Sequence, residues 1–386
     1  MARGPCGGRD NLRRTRSGRI ELLNPTKSTG SLAKRDSIVG FCLAAGAGTR
    51  LRPLTEAIAK PLLAPAGRPL LDLALAALGA AGAGRAVVNA HHGADQLAAW
   101  LRAGERAPEP WPGTVDLLVE ERLLGTGGGL VNAVDHGLLP AEVVLVTCAD
   151  HVETPADLAS LIEPVLSGRA AAVMGLTPAA AREPLAFALG APAGGPAGGA
   201  APVRPAAGGP WGSAGAYAVA GHVLAERLGW PGDGDRPRPA RPVEPANLVD
   251  VLLEPLWREG RLHGVPFAGP VTDAGTLDRF LDVAEGLLAG RWPYRLPPGR
   301  REGGAWVAEG ATVHPRAELR GPVVVDRGAA IGEGARVTSS VVGAGAEVAA
   351  GATVARCVVG PGARVAAGAT VAGALVAPEG ERLPAT

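Results

Sequence analysis

Glycines, an arginine and a lysine are gathered in the stretch 43–71, which reads LAAGAGTRLRPLTEAIAKPLLAPAGRPLL. Gly46 and Gly48 allow the backbone to approach a ligand closely, and the N–H groups of such a turn form a concave site for an anion. Arg50 and Lys60 add positive charge, and Lys60 is the only lysine after residue 36. A lysine is a compact, mobile charge suited to a phosphate oxygen. The stretch therefore predicts a binding site for a nucleoside triphosphate (NTP).

Two aspartates are candidates for binding Mg²⁺. Asp150 ends the apolar run VVLVTCAD, and Asp273 lies in VTDAGTLDRFL, just before a predicted helix. The carboxyl ends of parallel strands are where α/β sheets bind ligands, and Mg²⁺ takes one or two carboxylates together with phosphate oxygens and water. Taken singly, each aspartate is better explained as a cap of a helix or turn. Together with the glycine loop, the two predict a metal site.

The order of residues in the glycine loop resembles a family signature. GAGTRLRPLT and AKPL are similar to G-x-G-T-R-L-x-P-L-T and P-K-P-L of the sugar-1-phosphate nucleotidyltransferases. A dinucleotide loop needs a third glycine and a Walker loop needs G-K-[ST], and neither pattern fits this stretch. The resemblance implies catalytic roles for Arg50 and Lys60, with Mg²⁺ as cofactor. It places the nucleotide against four residues of the loop: Ala45, Gly46, Gly48 and Thr49.

Two further segments resemble the same family. In LLVEERLLGTGGGLVNA the match to E-x-x-P-L-G-T-[AG]-G implies nucleotide contacts from Glu121, Gly125, Thr126 and Gly127. A glycine-rich start of a helix is the alternative explanation of this segment. The segment 213–217, SAGAY, is similar to the family's N-A-G-x-Y and implies that Gly215 lies near the sugar.

The chain also departs from the family pattern in three places. Cys-Ala-Asp at 148–150 replaces Asn-Gly-Asp, so that only the metal-binding carboxylate matches. Leu277 stands where the family's D-x-G-T-P has proline. The family's v-E-K-P segment corresponds to PVRP here, so Arg204 is the candidate for the sugar phosphate in place of a lysine, and the glutamate has no equivalent.

The elements that must position these residues follow an alternation of short apolar runs and helical patterns from residue 37 to about residue 290. This alternation is typical of a parallel α/β sheet, and the resemblance implies a Rossmann-like domain with a mixed or parallel sheet over residues 37–290. The predicted strands are Ile38–Leu43, Ala86–Asn89, Val115–Val119, Val143–Thr147 and Ala171–Gly175. The predicted helices are Ala94–Leu101, Pro155–Leu166 and Thr276–Leu288. The segments 191–210 and 231–245 are predicted surface loops, and 291–304 is a predicted linker.

The region 305–386 repeats an aliphatic residue at every sixth position, with five-residue steps before Val342 and Val359. Such hexapeptide repeats are typical of a left-handed parallel β-helix, whose aliphatic residues point into a common core. We expect about four coils, homo-oligomerisation through this region and no requirement for it in the chemistry. The region's only histidine is His314, which disfavours a second, acetyltransferase activity. Its repeated aliphatic residues are Val307, Val313, Leu319, Val325, Ile331, Val337, Val342, Val348, Val354, Val359, Val365 and Val371.

Charge and cysteine use exclude several classes of protein. Residues 1–36 carry nine basic and three acidic side chains and are predicted to be a disordered basic tail, whereas the rest of the chain is mildly acidic. An acidic body disfavours nucleic acid as a partner. Without a run of about 18 apolar residues, no membrane span is expected, and the polar residues after Arg13-Arg14 do not fit an export signal. The four cysteines lack C-x-x-C spacing, so we expect neither a disulfide framework nor a zinc site, and a cytoplasmic location.

The sequence therefore predicts a cytoplasmic, Mg²⁺-dependent enzyme that joins an NTP to a sugar 1-phosphate and releases pyrophosphate. The A-K-P-L and L-G-T-G-G variants most resemble mannose-1-phosphate guanylyltransferases, which favours GTP and mannose 1-phosphate as substrates. Two alternatives stay open. One is a UTP- or dTTP-dependent transferase, and the other is a non-catalytic regulatory or assembly subunit that keeps the fold. His91 and His92 are interpreted as polar loop residues.

Overall fold

A computed structural model describes residues 12–14, 20–23, 37–104, 111–179, 185–190, 199–229, 243–378 and 382–384. These residues form a large α/β domain followed by a three-sided β-helix. In this part of the chain, no helix has the length and apolar character needed to cross a membrane.

The α/β domain is built on one eleven-stranded sheet with the order β1-β2-β5-β4-β3-β6-β11-β8-β12-β10-β9. Its centre is parallel, because β5, β4, β3 and β6 pair in the same direction. The long strand β11 runs antiparallel to both β6 and β8, which makes the sheet mixed. A separate two-stranded sheet joins β7 and β13. The strands are β1 Leu12–Arg14, β2 Ile20–Leu23, β3 Ile38–Leu43, β4 Arg85–Ala90, β5 Thr114–Val119, β6 Val143–Cys148, β7 His151–Val152, β8 Ala172–Pro178, β9 Phe187–Leu189, β10 Ala201–Pro205, β11 Trp211–Ala220, β12 Leu262–Pro266 and β13 Thr272–Asp273.

Helices cover the sheet because the central strands bury side chains on both faces. Every residue of β6 except Cys148 is buried, as expected of a strand inside a parallel sheet. The helix Leu70–Ala80 has nine buried residues, from Leu70 to Leu78, so it is enclosed on nearly all sides. The other helices are Leu54–Ala57, Ala94–Ala103, Gly125–Asp135, Pro155–Ser160, Ile162–Leu166, Gly221–Leu228, Glu254–Arg258 and Leu277–Leu288, with 3₁₀ turns at Thr49–Leu51 and Lys60–Leu62 and a π turn at Val249–Leu253.

The predicted mixed α/β fold and the predicted strands of its sheet are confirmed, with ends shifted by up to three residues. Two predictions of irregular backbone are wrong in part. Within the predicted tail 1–36, β1 and β2 are strands, and β2 extends the sheet by pairing antiparallel with β5. Within the predicted loop 191–210, β10 pairs with β9 and β12. The other residues of the tail, and residues 191–198 and 231–242 of the two predicted loops, lie outside the described part of the chain.

The C-terminal region folds into four coils of three short parallel strands, closed by a further strand at Ala374–Val376. The first two coils pair 18 residues apart, as between Trp306 and Val324, and later coils pair 17 residues apart, as between Val341, Val358 and Leu375. The repeated aliphatic residues point inward, and all are buried except Val313 and Leu319, which are half-buried. The strands are β14 Gly299–Glu302, β15 Ala305–Ala308, β16 Thr312–Val313, β17 Glu318–Arg320, β18 Val323–Val325, β19 Ala330–Ile331, β20 Arg336–Thr338, β21 Val341–Val342, β22 Glu347–Val348, β23 Thr353–Ala355, β24 Val358–Val359, β25 Arg364–Val365, β26 Thr370–Ala372, β27 Ala374–Val376 and β28 Arg382–Pro384.

One face of the β-helix packs against the α/β domain. The face is formed by outward side chains of five stacked strands, which belong to the same apolar cluster as the α/β core: Trp306, Val324, Val341, Val358 and Leu375. A Cβ atom added to Gly360 would lie 2.6 Å from Leu54 Cδ2, and one added to Gly67 would lie 2.7 Å from the Trp306 ring. Arg356 Nη2 also donates to Asp278 Oδ1 at 2.6 Å. The two units thus share an apolar interface.

The predicted linker 291–304 does not behave as a free spacer. Trp292 is 2% exposed and donates from Nε1 to Pro270 O at 2.8 Å. Tyr294 is also buried, and its hydroxyl donates to Glu153 O at 2.7 Å. Residues Gly299–Glu302 form β14, which pairs antiparallel with β15 of the β-helix. The composition of this segment is typical of a spacer, but these tertiary contacts hold it in place.

Removing the β-helix is therefore expected to destabilise the α/β domain. A chain ending at Leu296 keeps Trp292 and Tyr294 but loses the cover supplied by Trp306 and its neighbours. Because truncating one buried tryptophan already costs about 3–5 kcal/mol, we expect the free energy of unfolding to fall by at least about 3 kcal/mol. Chemical denaturation of the two chains measures this, and Trp306→Ala should reproduce part of the loss. Equal denaturation midpoints would show that the interface contributes little.

Candidate active site

A cleft of about 380 Å³ opens where the central parallel strands end. The carboxyl ends of β3, β4 and β6 lead into it, in agreement with the general position of ligand sites in α/β sheets. Its walls come from the glycine loop, from the helix Gly125–Asp135 and from the segments around β7 and β13. The lining residues are Leu43, Ala44, Ala45, Gly46, Arg50, Lys60, Pro61, Asn89, Leu123, Gly125, Thr126, Cys148, Ala149, Asp150, His151 and Asp273.

The glycine loop leaves β3 and turns sharply before the 3₁₀ turn Thr49–Leu51. Gly48 has φ 62°, a left-handed conformation that favours glycine. A Cβ atom there would lie 2.9 Å from the Thr55 side chain and 3.0 Å from Lys60 Cβ. Gly46 has open space around its Cα, with no heavy atom within 4 Å of an added Cβ. The loop is thus closed at Gly48 and open to a ligand at Gly46.

The segment that carries Lys60 is held by residues after β4. His92 Nε2 donates to Thr55 O at 2.8 Å, and Gln96 accepts from Ala59 N at 2.8 Å through Oε1. Gly93 permits this approach, because a Cβ there would lie 2.5 Å from Ala59 Cβ. His92 is therefore more than a polar loop residue, since its ring holds the stretch that leads to Lys60.

The two predicted metal ligands are brought together by the small sheet β7/β13. The register places Asp273 opposite His151, so that Asp150 and Asp273 lie near each other on adjoining backbone segments. Ala274 N donates to Asp150 O at 2.8 Å, which extends the pairing by one residue. The N-cap of the helix Leu277–Leu288 is Thr276, which accepts from Arg279 N at 3.4 Å. Asp273 is therefore not the helix cap.

Cations surround this pair of carboxylates. Lys60 Nζ contacts Asp150 Oδ2 directly and lies 3.9 Å from Asp273 Oδ1. Arg50 Nη2 is 3.6 Å from Asp273 Oδ2, and Arg279 Nη1 donates to the same oxygen at 2.7 Å. Burial acts to raise the pKa of Asp150, but the charges of His151 and Lys60 outweigh it and hold that pKa below its usual value. Asp150 is therefore ionised at neutral pH.

The same residues fit a divalent cation. Asp273 Oδ1 is buried and has no hydrogen-bond partner within the described part of the chain. A buried carboxylate oxygen without a hydrogen bond is costly, and oxygen ligands of this kind suit Mg²⁺. With Asp150 alongside, the two side chains offer the one or two carboxylates that a phosphate-bound Mg²⁺ takes from a protein.

The glycine-rich helix Gly125–Asp135 is explained by close packing against the segment 244–247. Added Cβ atoms at Gly125, Gly127 and Gly128 would lie 2.6, 2.4 and 2.9 Å from backbone oxygens of that segment. Gly127 N donates to Ala246 O at 3.0 Å, and Gly127 is buried away from the cleft. The N–H group of Gly127 is therefore engaged within the protein, whereas Gly125 and Thr126 line the cleft. The nucleotide contacts of these three residues stay predictions.

A buried polar network supports the wall opposite the carboxylates. Asn89 Oδ1 accepts from Ala44 N at 2.8 Å, and Asn89 Nδ2 donates to Glu120 Oε1 at 2.6 Å. Glu120 Oε2 also accepts from Leu124 N at 3.2 Å. Burial raises the pKa of Glu120 against these hydrogen bonds. The predicted residue Glu121 is exposed and does not line the cleft. Its neighbour Glu120 instead supports the cleft wall through its hydrogen bonds with Asn89 and Leu124.

The structure gathers most of the predicted site residues but not all of them. Six of them do not line the cleft. Arg204 is exposed on β10 near the edge of the sheet, paired with Ala188 across the ladder. Gly215 lies behind His151, whose Nδ1 would be 2.5 Å from an added Cβ. The predicted residues in the lining are Ala45, Gly46, Arg50, Lys60, Gly125, Thr126, Asp150 and Asp273, and those outside it are Gly48, Thr49, Glu121, Gly127, Arg204 and Gly215.

A buried carboxyl lies beneath the site. Glu153 is 2% exposed, its Oε1 accepts from Thr147 Oγ1, and its Oε2 has no hydrogen-bond partner among the described residues. Burial raises its pKa above the usual 4.5, against the charge of His151 and the Thr147 hydroxyl. The folded protein therefore keeps this proton at pH values where the unfolded chain has lost it.

This raised pKa predicts a pH-dependent effect of Glu153→Gln. Because the folded state binds the extra proton, this carboxyl lowers stability as pH rises from 4.5 through the raised folded-state pKa. Glutamine stays neutral, so the variant should gain stability relative to wild type between pH 4 and pH 7. Urea denaturation across that range measures the difference, with exposed Glu285→Gln as the control. A difference between wild type and Glu153→Gln that does not change with pH would contradict the assignment.

Comparisons with known proteins identify relatives of this chain. The family model "Nucleotidyl transferase" matches residues 39–185. A mannose-1-phosphate guanylyltransferase of Mycobacterium tuberculosis is 31% identical over 302 residues, which cover 78% of each chain. An N-acetylmuramate alpha-1-phosphate uridylyltransferase of Caulobacter vibrioides is 45% identical over 98 residues, 25% of this chain and 39% of that protein. A crystal structure of UDP-glucose pyrophosphorylase with UDP-glucose has a TM-score of 0.49 and 16% identity, covering 64% of this chain and 96% of the other.

A cleft at the ends of parallel strands, lined by a glycine loop, a lysine and two carboxylates, occurs here in a chain that matches a transferase along most of its length. The chain belongs to the nucleotidyl transferase family, and within it to the sugar-1-phosphate nucleotidyltransferases.

Proposed function

We propose that this enzyme transfers a guanylyl group from GTP to mannose 1-phosphate, forming GDP-mannose and releasing pyrophosphate. The observation that carries the proposal is the match to a mannose-1-phosphate guanylyltransferase over 78% of both chains, which extends well beyond the glycine loop. The cleft supplies the charges that such a reaction needs, and the substrate pair follows from the relative's name.

The reaction joins two anions and needs no protein nucleophile. A sugar 1-phosphate has lost most of its second proton at pH 7, because that pKa is near 6. Its oxygen attacks the α-phosphorus of the NTP, the new P–O bond forms as the bond to pyrophosphate breaks, and pyrophosphate leaves with the electron pair. The protein must hold the two anions in line and offset the charge on the transferring group.

The described residues divide these tasks. Gly46 and the adjoining backbone leave room for the triphosphate, and Lys60 and Arg50 supply positive charge beside it. Asp150 and Asp273 would hold Mg²⁺, which, when bound, would offset negative charge on the phosphates. Lys60 is held between the two carboxylates, so its ammonium group is placed before substrates bind. Gly125, Thr126 and Leu123 form the opposite wall, where the base would lie.

The proposal is tested with purified full-length protein, Mg²⁺ and each NTP in turn, against mannose 1-phosphate, glucose 1-phosphate and N-acetylmuramate α-1-phosphate. Release of pyrophosphate is measured by a coupled assay, and the nucleotide-sugar is identified by mass spectrometry. We expect the highest kcat/KM with GTP and mannose 1-phosphate. A higher kcat/KM with any other pair would overturn the choice of substrates, and no turnover with any pair would overturn the activity.

A uridylyltransferase is the second candidate. It is supported by the 45% identity to an N-acetylmuramate alpha-1-phosphate uridylyltransferase, which is higher than the identity to the guanylyltransferase but covers only 25% of this chain. The same panel of substrates separates the two candidates, and dTTP in place of UTP tests the related alternative. A non-catalytic subunit is disfavoured because Arg50, Lys60, Asp150 and Asp273 all line one cleft.

Homo-oligomerisation through the β-helix and a cytoplasmic location stay predictions. The face of the β-helix formed by β15, β18, β21, β24 and β27 contacts the α/β domain of the same chain. Contact between subunits would therefore use the other two faces of the β-helix or one of its ends. Light scattering of the full-length protein measures the state of assembly.

A further inference from the structure

Three side chains of different chemistry meet at the end of β6. Cys148, Asp150 and His151 each offer one potential metal ligand, a sulfur, an oxygen and a nitrogen, and these three atoms lie within 4.8 Å of one another. All three residues line the cleft. Asp273 does not belong to this cluster. The neighbours of Asp150 are therefore softer ligands than a site for Mg²⁺ alone requires.

The imidazole of His151 is oriented as a metal-binding histidine usually is. Its Nδ1 lies 2.9 Å from Ala214 O, and because a carbonyl can only accept, Nδ1 carries the proton and donates it. In the neutral ring, Nε2 then has a free lone pair. Histidine ligands typically donate their other ring N–H to a backbone carbonyl or carboxylate in this way. Gly215 packs against the ring and fixes its plane, since a Cβ there would lie 2.4 Å from Cε1.

The free nitrogen faces an oxygen that Lys60 leaves available. His151 Nε2 is 3.9 Å from Asp150 Oδ1, whereas Lys60 contacts Asp150 Oδ2. Two ligand atoms about 2.1 Å from a tetrahedral ion lie roughly 3.4 Å apart. A relative shift of the two side chains by about half an ångström would bring Nε2 and Oδ1 to that spacing. The pair is thus close to the spacing of two ligands around one ion.

Cys148 supplies the third potential ligand. It is the last residue of β6, and its sulfur lies 3.9 Å from Gly215 O, on the same backbone segment that orients His151. Thiolate and imidazole ligands select Zn²⁺ and Co²⁺ over Mg²⁺, which prefers oxygen ligands.

We propose that Cys148, Asp150 and His151 form a second mode of metal binding at this site, which takes a transition-metal dication such as Co²⁺ or Zn²⁺. This second mode shares Asp150 with the Mg²⁺ site of the proposed function. It rests on the proposed function in one respect only, the assignment of Asp150 as a metal ligand. Mg²⁺ uses Asp150 and Asp273, whereas Co²⁺ or Zn²⁺ uses Asp150 with the imidazole and the thiolate. Binding of the transition metal releases the thiol proton, so its affinity rises with pH.

The test titrates the full-length protein with Co²⁺, in a Cys6→Ser background that removes the cysteine outside the described residues. A cobalt–thiolate bond gives a charge-transfer absorption band in the near ultraviolet, which we expect in this protein. The band should disappear in Cys148→Ser and persist in the matched control Cys357→Ser. His151→Ala should weaken Co²⁺ binding at least about tenfold, whereas His314→Ala, in the β-helix, should leave it unchanged. If His151→Ala does not fold, His151→Asn takes its place, since its amide can still donate to Ala214 O.

Calorimetry with Mg²⁺ completes the comparison. We expect Cys148→Ser and His151→Ala to change the Kd for Mg²⁺ less than about threefold, because its ligands are Asp150 and Asp273. Absence of the charge-transfer band, or unchanged Co²⁺ affinity in both variants, would overturn the proposal.

The two proposals fail separately. Mg²⁺-supported transfer by a wild-type protein that shows no cobalt–thiolate band would leave the function standing and overturn the three-ligand site. A band that depends on Cys148 and His151, in a protein that transfers no nucleotide with any metal, would overturn the function and leave the site standing.

Discussion

Lys60→Ala is expected to lower kcat by at least about a hundredfold, the loss that follows removal of a single group stabilising charge in a transition state. Lys60 is 7% exposed, lines the cleft and is held by contacts with Asp150 and Asp273. Alanine removes the charge and leaves the carboxylates to face the incoming phosphates unopposed. Because the group acts in the transition state, kcat should fall more than KM rises.

Pyrophosphate release measures this effect, with Arg52→Ala as the matched control. Arg52 lies in the same loop, pairs at 3.4 Å with Glu56 and does not line the cleft, so its loss should change kcat less than about threefold. Lys60→Met keeps the length of the side chain without its charge and should be as inactive as Lys60→Ala. A Lys60→Ala enzyme with near-normal kcat would remove this lysine from the mechanism.

Asp150→Asn and Asp273→Asn are each expected to abolish Mg²⁺-dependent turnover. Asparagine keeps the shape of the side chain but removes the negative charge that a metal ligand supplies, and this loss affects the transition state more than the encounter with NTP. Raising the NTP concentration should therefore not restore activity. The control is Asp278→Asn, which lies on the neighbouring helix, is exposed and pairs with Arg356.

Activity is measured across a range of Mg²⁺ and NTP concentrations, with circular dichroism to verify folding. Wild-type kcat in either aspartate variant at saturating NTP would exclude a role for that carboxylate in metal binding. Loss of activity in Asp278→Asn as well would point to a general effect of the helix Leu277–Leu288 and would weaken the argument.

The sequence predicts those parts of the site whose residues belong to short motifs of consecutive residues. Arg50, Lys60, Asp150 and Asp273 were found from motifs, and they line one cleft because strand ends of a parallel sheet meet at one edge. Glu120 was missed in favour of Glu121. A strand alternates its faces, and β5 buries Asp116, Leu117 and Leu118 alike, so the sequence pattern did not show which of two adjacent glutamates points inward.

Contacts between distant segments were the least predictable. The three glycines at 125–128 indicate a ligand-binding turn in the sequence, whereas all three make room for the backbone of 244–247. The sequence does not reveal the contacts of His92 and Arg279, because both form only when the chain has folded. His92 contacts Thr55 O, and Arg279 contacts Asp273. Likewise, the composition of 291–304 indicated a spacer, and only the burial of Trp292 shows otherwise.

The contact between Leu54 and Gly360 has a consequence for synthesis of the chain. About 300 residues separate these two positions, yet they touch at the interface between the α/β domain and the fourth coil. At a translation rate of about 5–20 residues per second, the helix Leu54–Ala57 waits roughly 15–60 s for its partner to leave the ribosome. During that interval the apolar face beneath the β-helix is open to water. Exposed apolar surface makes a nascent chain prone to aggregate, so a chaperone that shields this face would act during that interval.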